Sequence, residues 1–197
     1  FSDLIMNEDI DEEMRREFPA EIQKSTLLLT GLVNSMLEVA NLDVSEDKLP
    51  CGPTDIRNIC IQEMEKISPK PRIKYQLDIT EDTLFIPTNA QYLTMVIEHL
   101  LNNANKFTEE GFIALGYKVN LSKNQICISV TDSGCGIPKE KQEEVFNRFS
   151  KLDTFVPGNG LGLYLCRLIV KRLDGEIKID PEYTDGTRVV VNLPMNE

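Results

Sequence analysis

Between His99 and Leu163 the chain sets three short blocks in a fixed order: HLLNNANKF at 99–107, DSGCGIP at 132–138 and GNGLGL at 158–163. The first has a helical period. Leu93, Val96, Ile97, Leu100, Leu101 and Ala104 recur on one side, and His99, Asn103, Lys106 and Phe107 on the other. The second places a carboxylate and two glycines at the end of an apolar run. The third is a glycine-rich turn that runs into an apolar helix. Any fold that serves all three must bring a helix face, a strand end and a helix N-terminus together, and their conjunction constrains the chain far more than any one block.

The remaining sequence supplies the frame. Residues 13–42 carry one long helical pattern, with Ile22, Leu29 and Met36 at one heptad position and Phe18, Ser25, Leu32 and Val39 at the other. Leu28, Val33 and Leu37 widen that stripe beyond a two-stranded seam, which suggests a helical bundle. Pro19 should start the regular helix or kink it. Residues 1–6 are too short to cover the stripe, so its partner is expected from a second copy or a helix outside this sequence. Residues 41–53 are polar and proline-bearing and read as a linker. Beyond them the spacing predicts helices at 55–67, 89–105 and 161–173. Strands are expected at 73–79, 83–86, 111–121, 125–132, 176–179 and 186–193, with a hairpin turn at 122–124. Strands and helices do not alternate regularly, which disfavours a doubly wound parallel sheet. The class that fits is α+β: a two-layer α/β sandwich, with a mixed sheet and helices on one face, preceded by a long helical stem. The expected division is a stem at 1–47 and a globular domain at 48–197.

Each block suits part of a nucleotide. The side-chain oxygen of Asn103 is a neutral, hard ligand for Mg²⁺, a cation that shares its oxygen ligands with substrate phosphates. Lys106, one turn on, supplies a point charge for phosphate. Taken alone, that row is an ordinary solvated helix face. Asp132 accepts hydrogen bonds and donates none, which suits the exocyclic amine of adenine, and Gly134 and Gly136 let backbone approach a flat base. By itself an Asp-x-Gly-x-Gly run is equally a simple turn. Gly158, Gly160 and Gly162 precede a helix whose N-terminus suits phosphate. No Gly-Lys-Ser/Thr follows and no strand precedes, so this is neither a P-loop nor a Rossmann fingerprint. Residues 149–157, polar and irregular with Lys151 and Phe155, have the character of a mobile lid. The net charge of −11 argues against nucleic acid as a partner, and an acidic chain that binds ATP needs Mg²⁺ and a few well-placed bases.

Four segments resemble the N, G1, F and G2 boxes of sensor histidine kinases of two-component systems. They are Asn103-Ala104-x-Lys106-Phe107, Asp132-x-Gly134-x-Gly136-Ile137, the pair Phe146 and Phe149, and Gly160-Leu161-Gly162-Leu163. These boxes characterise the Bergerat ATP-binding fold. Gly186-Thr187 and Leu193-Pro194 also fit, and the resemblance extends to the first 42 residues, which are similar to the end of the first and the whole second helix of the dimerisation domain. The resemblance implies that Asn103 holds Mg²⁺, Asp132 binds adenine, and Lys106 and Lys151 face the phosphates. Gly160 and Gly162 would open the helix N-terminus, with Phe107, Ile137, Leu161, Leu163 and Thr187 completing the pocket. It further implies donation of the γ-phosphate of MgATP to a histidine, transfer on to a response regulator receiver domain, and a homodimer through the stem.

In that family the acceptor histidine lies on the first dimerisation helix, a little before the position of Phe1. The sequence opens on Phe rather than Met and reads as part of a longer protein, so its dimerisation hairpin at 1–47 is expected to be truncated and to lack the acceptor. The single histidine, His99, stands in the N box at a slot often held by Asn. It is either a catalytic-site contact to phosphate or water, alongside Asn103, or a helix-surface imidazole. The chain is therefore expected to bind MgATP without phosphorylating itself. Two other readings share the fold. A conformational ATPase of the chaperone, gyrase or mismatch-repair type would carry a catalytic Glu where His99 stands, and Glu98 is one residue out of register. A pseudokinase would use its stem to bind partners. No run approaches the ~18 apolar residues of a membrane span and no signal-peptide pattern opens the chain, so a cytoplasmic setting is expected, with membrane attachment only through parts absent here. The five cysteines form no Cys-x-x-Cys pair and read as reduced thiols, mostly in the core.

Overall fold

The structure, a computed structural model, describes residues 49–80, 82–150 and 160–196, and between 18 and 40 residues 18–20, 22, 23, 25, 26, 29–31, 33, 36, 37, 39 and 40. All the described residues from 18 to 40 are helical. Their apolar stripe divides. Phe18 and Val39 are buried, and Val39 joins the main core cluster, whereas Leu29, Val33, Met36 and Leu37 stay exposed. The expectations for residues 1–17, for Leu28 and Leu32 and for the linker at 41–48 lie outside the described residues.

Beyond the stem the chain runs β1 (Gly52–Asp55), α1 (Ile56–Lys66), β2 (Ile73–Asp78), β3 (Phe85–Thr88), α2 (Ala90–Phe107), β4 (Gly111–Asn120), β5 (Gln125–Asp132), α3 (Gly162–Arg172), β6 (Glu176–Ile179) and β7 (Thr187–Pro194). The helix starts follow local chemistry. Asp55 and Asn89 sit in extended backbone and accept from Asn58 N and Tyr92 N, so each caps the helix it precedes. The main sheet has the order β2-β4-β5-β7-β6, with β2 parallel to β4 and the other pairs antiparallel. The expected mixed-sheet α+β sandwich is the observed fold.

One strand differs from expectation. The sequence pattern makes residues 52–55 linker and helix start, but they form β1, antiparallel to β3, with Pro53 opposite Pro87. A strand of Gly, Pro, Thr and Asp carries no hydrophobic alternation to betray it. It is held by its partner and by the Thr54 hydroxyl, which donates to Thr88 O at 3.0 Å.

Sheet register makes the core. On the helix side, paired residues form rows: Leu115, Val130, Val189 and Ile179, and next to it Tyr117, Ile128, Val191 and Ile177. All eight are buried, and they meet Leu93, Val96, Ile97, Leu100 and Leu101 of α2 and Leu165, Cys166, Ile169 and Val170 of α3 in one cluster. Burying such side chains contributes roughly 1.5–3 kcal/mol each. The opposite sheet face carries Ser129, Thr131, Lys178, Arg188 and Asn192, as period-2 alternation requires.

All five cysteines are free thiols, but they divide differently from the sequence reading. Cys60 and Cys166 are buried in the core, where burial pushes each thiol up to about 12. Cys127 is half-buried, while Cys51 and Cys135 are exposed, the latter inside the second block.

Candidate functional site

Asp132 is placed by the sheet. It is the last residue of β5, and register sets it between Ile113 on β4 and Thr187 on β7, on the helix-facing side. Its Oδ1 accepts from Gly134 N at 2.9 Å and from Thr187 N at 3.3 Å. Among the described residues nothing bonds Oδ2. The side chain is buried, and desolvation raises its pKa above the usual 3.8, while the two backbone N–H groups pull the other way. One oxygen is thus tied to the protein and the other remains for a donor, as a base amine requires.

The loop after Asp132 is closely packed. A Cβ added at Gly134 would lie 2.4 Å from Phe107 O and 3.0 Å from Asp132 Oδ1. Gly134 therefore fits between the end of α2 and the carboxylate only because it lacks a side chain. From the far side the β6–β7 turn braces the same strand end. The Tyr183 hydroxyl donates to Asp132 O at 3.2 Å, and the Arg188 guanidinium lies 4.4 Å from the Tyr183 ring. Arg188 also donates to Thr131 Oγ1 and pairs with Asp180 at 3.3 Å. Sequence reasoning missed Tyr183 and Arg188, because only the β5–β7 pairing brings Tyr183 to Asp132 and Arg188 to Thr131.

The first and third blocks meet as expected. His99 and Asn103 are half-buried on α2, and Lys106 and Phe107 are exposed at its end, with Lys106 Nζ 4.7 Å from the Phe107 ring centre. A Cβ added at Gly162 would lie 3.8 Å from His99 Nδ1 and 4.0 Å from Asn103 Nδ2. The first turn of α3 therefore approaches this face, and the missing side chain keeps it open. Among the described residues no side-chain cap hydrogen bond closes the start of α3, whose N-cap is Leu161. Gly160 takes φ +68°, and a Cβ there would stand 2.8 Å from Phe149 C and Ser150 O. Leu161 is buried, and Ile137 and Leu163 pack half-buried on the core, so these three support the loops from beneath. Gly136, at φ +70°, lies against Gly186 O. Phe146 is buried under the Arg167 guanidinium, whereas Phe149 is exposed. Lys151 and residues 152–157 of the expected lid, and Gly158 of the glycine-rich turn, lie outside the described residues.

Glu98 points elsewhere. It lines a groove between α1 and α2 with Glu63, Lys66, Ile67, Leu101 and Asn102, off the His99–Asn103 face. Glu63 is buried there and pairs with Lys66 at 2.5 Å.

Comparison with known proteins bears on the family and the fold. Residues 88–197 match the family model described as histidine kinase-, DNA gyrase B-, and HSP90-like ATPase. An uncharacterized sensor-like histidine kinase, ycf26, of Pyropia yezoensis is 29% identical over 92% of this chain and 30% of its own length. The adaptive-response sensory kinase SasA of Synechocystis is 28% identical over 98% of this chain and 52% of its own. The chain thus spans about half or less of these relatives. Among solved structures, full-length ShkA in complex with AMPPNP superposes with a TM-score of 0.79 at 25% identity, covering 92% of this chain and 39% of that one. The catalytic domain of the histidine kinase ThkA shares the fold, with a TM-score of 0.66 at 23% identity over 75% of this chain and 97% of that one.

Proposed function

The chain belongs to the histidine kinase-, DNA gyrase B-, and HSP90-like ATPase family, and on that premise we propose that its pocket is the MgATP site of a two-component sensor histidine kinase. The observation that carries the reading is the Asp132 carboxylate, buried at a strand end with one oxygen held by Gly134 and Thr187 and the other left for adenine. Asn103 would supply one neutral oxygen to Mg²⁺. Among the described residues no group of three or more His, Cys, Asp or Glu could hold a metal alone. That donor set fits a hard cation that keeps its waters and is bound chiefly through substrate phosphates. Lys106 and the first turn of α3, opened by Gly160 and Gly162, would carry phosphate charge, and Lys151 would join them. Phosphoryl transfer asks the protein mainly for position and charge, and these groups offer both.

In this reading the γ-phosphate passes to a histidine outside the chain and then to a response regulator. His99 lies on α2 beside Gly162, within the donor site, which suits a phosphate or water contact and not an acceptor carried on a separate helix. The conformational-ATPase reading is disfavoured by Glu98, which faces the α1 groove and not the nucleotide face. A pseudokinase is separated by binding itself, since it would not take MgATP. The exposed Leu29, Val33, Met36 and Leu37, at helical spacing, support a homodimer through the stem. The division at 1–47 and 48–197 places β1 with the catalytic domain. Among the described residues no helix is long and apolar enough to cross a membrane, and a cytoplasmic setting is part of this proposal.

The reading is tested by displacing a fluorescent ATP analogue. ATP should compete, and GTP, which presents a carbonyl where adenine has its amine, should compete at least about tenfold less well. Equal competition would remove Asp132 from the base pocket.

A further inference from the structure

We propose that Lys70, with Tyr75 and Asn105, is a positioning clamp that sets Lys106 for the nucleotide phosphates; the proposal rests on the MgATP reading above. A helix ends with carbonyls that have no intrahelical partner and with a negative pole. At the end of α2 the half-buried Lys70 ammonium donates to Asn105 O and, at 2.9 Å, to Thr108 O. The Tyr75 hydroxyl donates to Asn105 Oδ1 at 2.7 Å and accepts from Lys70 N at 3.0 Å. Asn105 Nδ2 in turn donates to Ser68 O at 3.2 Å.

These bonds fasten the α1–β2 loop to one turn of one helix. Pro69 and Pro71 fix φ on either side of Lys70, so the loop is stiff where it grips. Arg72 O accepts from Gly111 N at 3.0 Å, tying the same loop to the start of β4. Asn105 is the residue held, and Lys106 and Phe107 follow it directly. On the other side of that turn Phe107 O meets Gly134, where no Cβ fits. The last turn of α2 is therefore gripped between the clamp and the loop that carries Asp132. The cation has an electrostatic part as well. It offsets the negative helix end at the place where a polyanion must approach Lys106. Lys70 touches no residue assigned to the nucleotide in any hydrogen bond of the described network, so its action would pass through the backbone of Asn105.

The test uses the whole chain and MgATP affinity by calorimetry, at a temperature where thermal unfolding shows every variant folded. Lys70→Met should weaken MgATP binding by roughly five- to tenfold, Lys70→Arg should restore most of it, and Tyr75→Phe should weaken it by a smaller factor. In a Lys106→Ala background, Lys70→Met should cost a clearly smaller factor than in the wild-type chain, the remainder being the electrostatic part. Unchanged affinity in Lys70→Met and Tyr75→Phe, with only the melting temperature lowered, would make the cluster purely structural and overturn the proposal. An undiminished loss in the Lys106→Ala background would equally overturn it. A wild-type chain that binds no MgATP would overturn the nucleotide reading, and this proposal with it.

Discussion

Replacing Asp132 by Asn separates the charge of the buried acid from its shape. The Asn side-chain oxygen can still accept from Gly134 N and Thr187 N, at the positions where Oδ1 now stands at 2.9 and 3.3 Å. The amide nitrogen then occupies the place of Oδ2 and presents a donor to the adenine amine, itself a donor. The variant loses a hydrogen bond to a charged acceptor, worth about 1.5–3 kcal/mol, and leaves two donors facing each other, at about 1 kcal/mol or more. A total near 3 kcal/mol is roughly a 150-fold rise in Kd for MgATP. Stability should move the other way. Burial raises the Asp132 pKa above its unfolded value, so its stabilising contribution is present below the unfolded pKa and lost as pH rises through the folded one. At neutral pH the ionised group opposes folding, and the neutral amide removes that cost, so the unliganded variant should melt at the same temperature or higher. The pH arm is independent: wild-type affinity should fall on acidification with a midpoint above 3.8, and the variant should lack that step. Calorimetric Kd values beside melting curves decide the matter. A variant that binds within threefold of wild type would show that Asp132 does not hold the base, and one that binds weakly only because it is unfolded would show that the ionised group does not oppose folding.

Other substitutions test other walls of the pocket. Gly134→Ala forces a Cβ to within 2.4 Å of Phe107 O, so it should lose about 1–3 kcal/mol in urea denaturation and most of its nucleotide affinity. His99→Asn should retain MgATP binding, because Asn is smaller than His and keeps a polar side chain on the face beside Gly162. With γ-labelled ATP the wild-type chain should carry no acid-labile label on His99. Glu98→Ala should leave any slow ATP turnover unchanged in a phosphate-release assay, because Glu98 faces the α1 groove. A loss of turnover there would revive the conformational-ATPase reading.

What could be read from the sequence was local or periodic. The helices expected at 55–67 and 89–105 showed in their apolar spacing, and the structure adds that Asp55 and Asn89 cap them. The β4–β5 hairpin showed in alternation, and its turn holds Asn124 at φ 51°, a conformation Asn tolerates. The three blocks could be recognised because each packs its chemistry into a few residues. What stayed hidden depends on distant partners. β1 exists because β3 pairs with it, not because Gly52-Pro53-Thr54-Asp55 favours a strand. Tyr183 and Arg188 reach Asp132 and Thr131 only through the β5–β7 register, and the role of Lys70, a lysine in a loop, depends on the end of α2 that packs against it. The stem stripe was legible as a pattern, but its split into buried Val39 and exposed Leu29, Val33, Met36 and Leu37 was not.

If His99–Phe107, Asp132–Pro138 and the Gly160–Leu163 turn form one MgATP site, as proposed, the chain binds nucleotide and metal together. Titration of the whole chain with ATP, with and without Mg²⁺, tests it most directly. The chain should show saturable binding of one nucleotide, tightened by Mg²⁺, with the Mg²⁺ dependence lost in Asn103→Ala. Absence of saturable binding, or binding indifferent to both Mg²⁺ and Asn103, would contradict it.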